Sequence, residues 1–370
     1  MKKLKVVTIV GTRPEIIRLS RLIPKLDEYT DHILVHTGQN SDPKLNEVFF
    51  EDLELRQPDY FLNVDTSSMG SVMGDVLKKS EEVFLKEKPD AVMILGDTNS
   101  SIAAIVAERM HIPVYHMEAG NRSFDNNVPE ELNRKMVDHV ASFNLPYNDY
   151  SMRNLLAEGI HPRFIQKTGS PILEIYEHYR DKISTSRILN DLNLAPGGYF
   201  LVSVHRQENV DLRERLEKVL DCLVAVRDEW SLPVIVSTHP RTQIKLEALS
   251  RDGLEGITFH EPFGYLDYNK LQLGSKCVIS DSGTISEESS VMGFPAVTLR
   301  TSMERPEALE SGSIMLTGLA PANLLQAIGV ELSNRLDSQP ESYDSPNFST
   351  IVLKFLLSTY ALSSQWKGLL

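Results

Sequence analysis

Short apolar, β-branched runs bounded by turn residues alternate along this chain with longer stretches in which apolar positions recur every three or four residues. Leu4 to Val10, His32 to His36, Ala91 to Leu95 and Val114 to Met117 read as buried strands. Helical periodicity runs from Glu15 to Leu26, around Val72 to Lys86, and from Ser100 to Arg109. Such alternation predicts βαβ units on a parallel sheet. The pattern starts again with strands at Tyr199 to Val204, Pro233 to Ser237, Ile257 to His260, Lys276 to Ser280 and Ala296 to Leu299. Helical segments at Leu212 to Glu229, Leu266 to Leu273 and Thr284 to Met292 separate them. The boundary is placed at Pro171, dividing the chain into domains 1–170 and 171–350, with Ile172 to Tyr179 as a connecting helix and Lys182 to Asn193 as a polar stretch. A last pattern, Ile351 to Leu362, reads as a C-terminal helix over about 351–370 that crosses back to the first domain. The expected fold class is α/β: two Rossmann-like, doubly wound parallel-sheet domains facing across a cleft. In open sheets of this kind ligands sit beyond the carboxyl ends of the strands.

Composition narrows the function. The 370 residues carry 38 Lys plus Arg against 51 Asp plus Glu, a formal charge of −13. A binder of nucleic acid that works by neutralising many phosphates needs a basic stripe, so that class is set aside. An anionic ligand must be held by a few well-placed cations. The two cysteines, Cys222 and Cys277, form no metal-ligand spacing and no disulfide framework. The longest uncharged apolar stretch, Ile102 to Ala107, is far below the roughly 20 residues of a bilayer span. The apolar run after Met1-Lys2-Lys3 stops at Gly11, too early for a signal peptide, so a cytoplasmic protein without membrane contact is expected.

The strand ends hold the candidate chemistry. Gly11-Thr12-Arg13-Pro14-Glu15 follows the first strand as a glycine turn into a helix start, where free N–H groups and Arg13 suit a phosphate; the same residues suit a plain turn with a solvated arginine. No G-x-G-x-x-G and no P-loop occurs. Two carboxylates, Asp97 in Gly96-Asp97-Thr98 and Glu118 in Glu118-Ala119-Gly120, fall at one sheet edge, and Pro129-Glu130-Glu131 opens a helix on which Glu130 and Arg134 share a face. Converging carboxylates are how enzymes run proton transfer at two faces of a substrate. First-turn acids also simply complement the helix dipole. In the second half His205-Arg206-Gln207-Glu208-Asn209 and Thr238-His239-Pro240-Arg241 follow strands. Asp281-Ser282-Gly283-Thr284 leads into a helix start suited to a diphosphate, and Glu288 one turn in suits ribose hydroxyls.

Together with Glu304-Arg305-Pro306-Glu307, these motifs resemble, in content and order over almost the whole chain, those of the non-hydrolysing UDP-N-acetylglucosamine 2-epimerase family. The resemblance implies a GT-B-like fold, a homodimer, and interconversion of UDP-N-acetylhexosamines epimeric at C2 without metal or other cofactor. UDP is eliminated to leave a 2-acetamidoglycal, which is reprotonated on the other face before UDP adds back. Carried over by motif, Asp97, Glu118 and Glu130 are the acid/base candidates, and Arg13, His205, Ser282 and Gly283 hold or protonate the diphosphate. Glu288 accepts the ribose hydroxyls, Tyr268 contacts uracil and Arg305 supports the phosphates; Arg18, Arg134 and His239 complete the expected substrate-binding set.

The chain departs from the family pattern in places. Arg18 stands where Lys is common, and Gln39-Asn40 replaces a Gln-His pair linked to an activating second site. Asn121-Arg122-Ser123-Phe124-Asp125 differs from the usual L-R-T continuation, and this segment and the Thr284-Ile285-Ser286 helix start are similar to the branch that converts UDP-2-acetamido-2,6-dideoxy-L-talose to UDP-N-acetyl-L-fucosamine in capsule and O-antigen synthesis. A UDP-N-acetylglucosamine/UDP-N-acetylmannosamine 2-epimerase, a GT-B glycosyltransferase and a non-catalytic nucleotide-sugar binder are the competing readings. The last needs no converging carboxylates.

Overall fold

In the computed structural model, residues 3–39, 49–238, 240–249, 251–336 and 339–368 are described. The chain divides into two compact units, Met1–Ile175 with Asp344–Leu370, and Tyr176–Tyr343. Each is built on a six-stranded, all-parallel sheet.

In the first unit the strands are β1 (Lys5–Val10), β2 (Asp31–His36), β3 (Tyr60–Phe61), β4 (Ala91–Leu95), β5 (Val114–Met117) and β6 (Phe143–Leu145), in the order β3-β2-β1-β4-β5-β6. The central strands β1 and β4 pair in register Val6↔Ala91 to Thr8↔Met93, and β4 and β5 from Val92↔Val114 to Leu95↔Met117. Every residue of β4 is buried, as expected of a parallel strand covered on both faces. The second unit contributes β7 (Phe200–Ser203), β8 (Val234–Ser237), β9 (Ile257–His260), β10 (Cys277–Ser280), β11 (Ala296–Thr298) and β12 (Met315–Leu316), ordered β12-β11-β10-β7-β8-β9. Both are therefore the 3-2-1-4-5-6 order of a Rossmann domain, so each sheet reverses its winding between its first and fourth strands. The expected fold class of two doubly wound parallel-sheet domains is observed.

The helices that position the site follow the strands. They are α1 (Arg13–Leu19), α2 (Leu22–Tyr29), α3 (Met69–Glu87), α4 (Ala103–Arg109, entered through a 3-10 turn at Asn99–Ile102), α5 (Glu130–Val140), α6 (Asp149–Ala157) and α7 (Ile172–Thr185). The second unit adds α8 (Arg213–Trp230), α9 (Tyr265–Gly274), α10 (Ile285–Met292) and α11 (Pro321–Asn334), and α12 (Phe348–Thr359) belongs to the first unit. Helix α3 shows the periodicity at work: Val72, Val76, Ser80, Val83 and Phe84 form its buried stripe against the face of β1 and β4 that carries Val7, Ile9, Val92 and Ile94. Helix α12 lies on α2, and the Tyr115 and Thr359 hydroxyls hydrogen-bond at 2.7 Å. Among the described residues no helix is long and apolar enough to cross a membrane.

Two expectations are corrected. The helix expected from Glu15 to Leu26 is two helices, because the Pro24 ring collides with a helical carbonyl at Ser20, and the chain turns at Ser20-Arg21. The connecting helix continues past Tyr179 to Thr185, with Ile175, Tyr179 and Ile183 buried one turn apart. The edge strands β3, β6 and β12, two or three residues each, were too short to leave a period in the sequence.

Candidate active site

The winding of the first sheet reverses between β1 and β4, and the segments leaving these strands are Gly11-Thr12 and Gly96-Asp97-Thr98. Glu15 ties them together. Its Oε2 accepts the N–H of Gly11 at 2.6 Å and of Thr12 at 2.8 Å, and its Oε1 accepts the Thr98 hydroxyl at 2.5 Å. The side chain is 2% exposed, and burial pushes its carboxyl up to about 7 against the downward pull of those hydrogen bonds. Gly11 has to be glycine: a Cβ there would stand 2.0 Å from Ser100 Oγ and 2.3 Å from Thr37 Oγ1.

Asp97 and Glu118 emerge side by side from the paired strands β4 and β5. Asp97 Oδ2 accepts Arg134 Nε at 2.7 Å, and the Asp97 carbonyl accepts Asn133 Nδ2 at 2.9 Å. Arg134 also donates to Glu131 at 2.9 Å. Glu131 further accepts the N–H and hydroxyl of Ser123 and the N–H of Phe124. Its burial works against the charge, but Ser123 and Arg134 prevail and hold the carboxyl below its ordinary range. Glu118 adopts a left-handed backbone, φ 64°, uncommon for a side chain of this size and a form of strain concentrated at functional sites. Its Oε2 is ion-paired with Arg18 and its Oε1 accepts Asn121 Nδ2 at 3.2 Å. The carboxylate lies over the Gly96 backbone, where a Cβ would be 3.7 Å from Glu118 Oε2.

A buried charged layer supports both loops. His116 Nε2 meets the Gly96 carbonyl at 2.8 Å, and its Nδ1 lies 2.8 Å from Asp138. Asp138 accepts the Gly120 N–H and pairs with Arg122, which in turn grips Glu158. Glu130 stands exposed in the first turn of α5, one residue before the buried Glu131. Arg13, half-buried at the start of α1, lies over the Phe49 ring.

In the second unit the corresponding reversal is between β7 and β10, and a buried carboxylate again joins the two loops. Asp281 accepts the N–H groups of His205 and Arg206, each at 3.1 Å, and Asn209 Nδ2 at 2.9 Å. The His205 side chain is 52% exposed, with Nδ1 3.4 Å from Asp281. Ser282 and Gly283 follow, the Ser282 hydroxyl 3.0 Å from that of Thr284. Arg305 is buried, donates Nε to the Gly283 carbonyl at 2.9 Å and pairs with Glu287 at 2.9 Å. It thus braces the glycine from behind. Arg206 and Arg300 converge on Glu304 beside the same glycine. Glu288 accepts Gln272 Nε2 at 2.7 Å, and Tyr268 hydrogen-bonds Ser203, its phenol pushed up by burial and by the charge of Glu288. His239 and Asn40 lie outside the described residues.

The structure thus brings Asp97, Glu118, Arg18 and Arg134 to one sheet edge, and His205, Ser282, Gly283 and Arg305 to the equivalent edge of the other sheet. Sequence reasoning assigned no role to Glu15, Asp281, Arg206 and Arg300, and weighed Glu131 only as a first-turn acid that complements the helix dipole. Of these only Asp281, directly after a strand, and Glu131, three residues before Arg134, carried a usable signal. Among the described residues no group of three or more His, Cys, Asp or Glu is arranged to hold a metal ion.

The comparisons with known proteins agree with one another. A family model described as UDP-N-acetylglucosamine 2-epimerase matches residues 25–357. The chain is 36% identical to the UDP-N-acetylglucosamine 2-epimerase of Methanocaldococcus jannaschii, covering 90% of this chain and 93% of that protein. It is 32% identical to the UDP-2,3-diacetamido-2,3-dideoxy-D-glucuronate 2-epimerase of Pseudomonas aeruginosa, over 95% of this chain and 99% of that one. The solved UDP-N-acetylglucosamine 2-epimerase of Rickettsia bellii is 40% identical, with a TM-score of 0.91 and 98% of each chain covered, and shares the GT-B-like two-domain architecture.

Proposed function

The chain belongs to the UDP-N-acetylglucosamine 2-epimerase family, and from that premise we propose that it inverts C2 of a UDP-N-acetylhexosamine by eliminating UDP and adding it back. The observation that carries this reading is the pair Asp97 and Glu118, leaving adjacent strands with an arginine on each.

The chemistry explains the arrangement. A C2–H bond is too weakly acidic to lose its proton unaided. A carboxylate takes that proton as the C–H electrons form the C1=C2 bond, the C1–O bond breaks, and the electron pair leaves on the β-phosphate oxygen of UDP. Asp97, Glu118 and Glu130 are the candidates for proton transfer on the two faces, with Arg18 and Arg134 orienting the first two. The growing charge on UDP needs fixed donors. Arg13, His205, Ser282 and the backbone of Gly283, braced by Arg305, suit that task. Glu288 suits the ribose hydroxyls and Tyr268 the uracil. Reprotonation at C2 from the other face and re-addition of UDP at C1 complete the inversion with no atom gained or lost.

For the sugar we propose UDP-2-acetamido-2,6-dideoxy-L-talose, giving UDP-N-acetyl-L-fucosamine for surface polysaccharide. The Asn121 to Asp125 loop supports it, and Phe124, 76% exposed on that loop, offers an apolar face to a C6 methyl. Such a contact discriminates by only about 1–3 kcal/mol, or roughly 10–200-fold. The second reading, UDP-N-acetylglucosamine to UDP-N-acetylmannosamine, is favoured by the names of the Methanocaldococcus and Rickettsia relatives. The working unit is proposed to be a homodimer, which sedimentation equilibrium tests.

Incubation of each UDP-sugar in D2O, followed by NMR at C2, decides. Deuterium at C2 with the UDP-sugar retained is expected, fastest for the L-talose substrate. Asp97→Asn and Glu118→Gln are expected to abolish exchange while UDP affinity stays near the parent value. Absence of exchange with every UDP-N-acetylhexosamine, or loss of UDP affinity in step with rate, overturns the reading; transfer to an acceptor without exchange points to a glycosyltransferase.

A further inference from the structure

A carboxylate already surrounded by donors cannot serve as a base, and Glu131 is one. Its Oε2 accepts the Ser123 N–H at 2.9 Å, the Ser123 hydroxyl at 3.0 Å and Arg134 Nη1 at 2.9 Å, and its Oε1 accepts the Phe124 N–H at 3.3 Å. Lys135 Nζ stands a further 3.9 Å from Oε1. At 2% exposed, with its two oxygens so engaged, Glu131 belongs to the frame of the site. Its donors come from two directions. Ser123 and Phe124 lie on the loop that follows Glu118, and the start of that loop is anchored on α6, where Asn121 Oδ1 accepts the Ser151 hydroxyl at 2.7 Å. Phe124 has a left-handed backbone, φ 53°, an outlier for an aromatic residue that persists only where neighbours hold it. Arg134 reaches the other way. Its Nε donates to Asp97 Oδ2 at 2.7 Å, and Asn133 beside it holds the Asp97 carbonyl at 2.9 Å. The guanidinium is planar, so the contact of Nη1 with Glu131 fixes the direction from which Nε meets Asp97.

We propose that Glu131 is a positioning residue that couples the Phe124 loop, through Arg134, to the aim of Asp97. The proposal rests on the readings of Asp97 as a proton-transfer group and of the loop as facing the sugar, and it deepens them. A sugar that seats well against Phe124 leaves Ser123, Glu131 and Arg134 in the arrangement described, with Asp97 held toward C2–H. A sugar that displaces the loop moves the two N–H groups on Glu131, and the arginine turns with it. Discrimination between sugars is then expressed in the rate of C2–H cleavage and not in binding, because the interaction is realised at the reacting centre.

The test is C2 deuterium exchange by the full chain, with kcat and KM measured for 6-deoxy and 6-hydroxy UDP-N-acetylhexosamines and UDP affinity measured by calorimetry. Ser123→Ala removes one donor to Glu131 and leaves Asp97 and Arg134 in place. It is expected to lower kcat about tenfold with KM and UDP affinity near the parent values, and to narrow the kcat preference between the two sugars. Ser123→Thr, which keeps the hydroxyl, is expected to restore the rate. Lysine cannot hold two carboxylates in the fork of an arginine, so in an Arg134→Lys background Ser123→Ala is expected to cost about twofold or less. If Arg134→Lys does not fold or is too slow to follow, the two Ser123 variants decide alone. Parent kcat in Ser123→Ala, a tenfold loss in both backgrounds, or a sugar preference carried in KM overturns the coupling; if Asp97→Asn still abolishes exchange, the proposed function stands. Exchange at the parent rate in Asp97→Asn overturns both.

Discussion

Glu15 makes the stability of the first unit depend on pH in a direction opposite to that of most carboxylates. Its carboxyl rises from the ordinary 4.5 to about 7 on folding, because a 2% exposed side chain has lost its water. A group that holds its proton more tightly when folded stabilises the fold below its unfolded titration, near 4.5, and that contribution is lost as pH rises through about 7. The full difference corresponds to roughly 3.4 kcal/mol, of which about 2 kcal/mol falls between about pH 5.5 and pH 8. Glu15→Gln keeps the shape, can still accept the Gly11 and Thr12 N–H groups through its amide oxygen, and cannot ionise. The chain's two tryptophans make the measurement local, since Trp230 lies in the second unit and Trp366 in the first. In a Trp230→Phe background, urea unfolding followed by Trp366 reports on the first unit, and Glu15→Gln is expected to lose about 2 kcal/mol less than its parent over that pH interval. The comparison cancels Glu307 and Glu331, whose carboxyls are also raised by burial. Parallel pH dependences in the two proteins would refute the assignment of this penalty to Glu15.

Two further substitutions probe the loops. Gly120→Ala places a Cβ 2.2 Å from the Ser151 carbonyl oxygen at φ 81°, so a loss of roughly 2–4 kcal/mol in thermal unfolding is expected, together with loss of C2 exchange; an unchanged Tm would mean that the loop does not rest on α6. Asp281→Asn turns an acceptor of three donors into a group that must present N–H to some of them. UDP affinity by calorimetry is expected to fall tenfold or more, about 1.4 kcal/mol, and parent affinity would show that the Asp281 clamp does not shape the nucleotide site.

The parts of the fold legible in the sequence were those with a strong period or a long apolar run. Strands such as Ala91 to Leu95 are buried on both faces and announce themselves, and the motifs after them fall at strand ends because glycine and a carboxylate interrupt an apolar run there. Helix α5 shows why the rest was hidden. Its buried residues are Glu131, Asn133, Arg134, Val137 and Asp138, whereas Leu132 is 63% exposed. Four polar side chains share the buried side with Val137 because they hold Asp97 and the Gly120 loop by ion pairs and hydrogen bonds. A reading by hydrophobicity therefore cannot tell the exposed Glu130 from the buried Glu131 next to it. The Ser151 to Asn121 contact, thirty residues apart, leaves no local trace at all.

Helix α12 gives the order of synthesis a structural consequence. The second unit, Tyr176–Tyr343, is one continuous stretch, but the first takes its last buried helix, with Phe348, Val352, Leu353 and Leu356, from beyond it. A nascent chain can complete the later domain while the earlier one still waits for the surface that covers α2. During translation the domain begun first is thus the last to be finished, and the apolar face left open on the ribosome is the one a chaperone would meet.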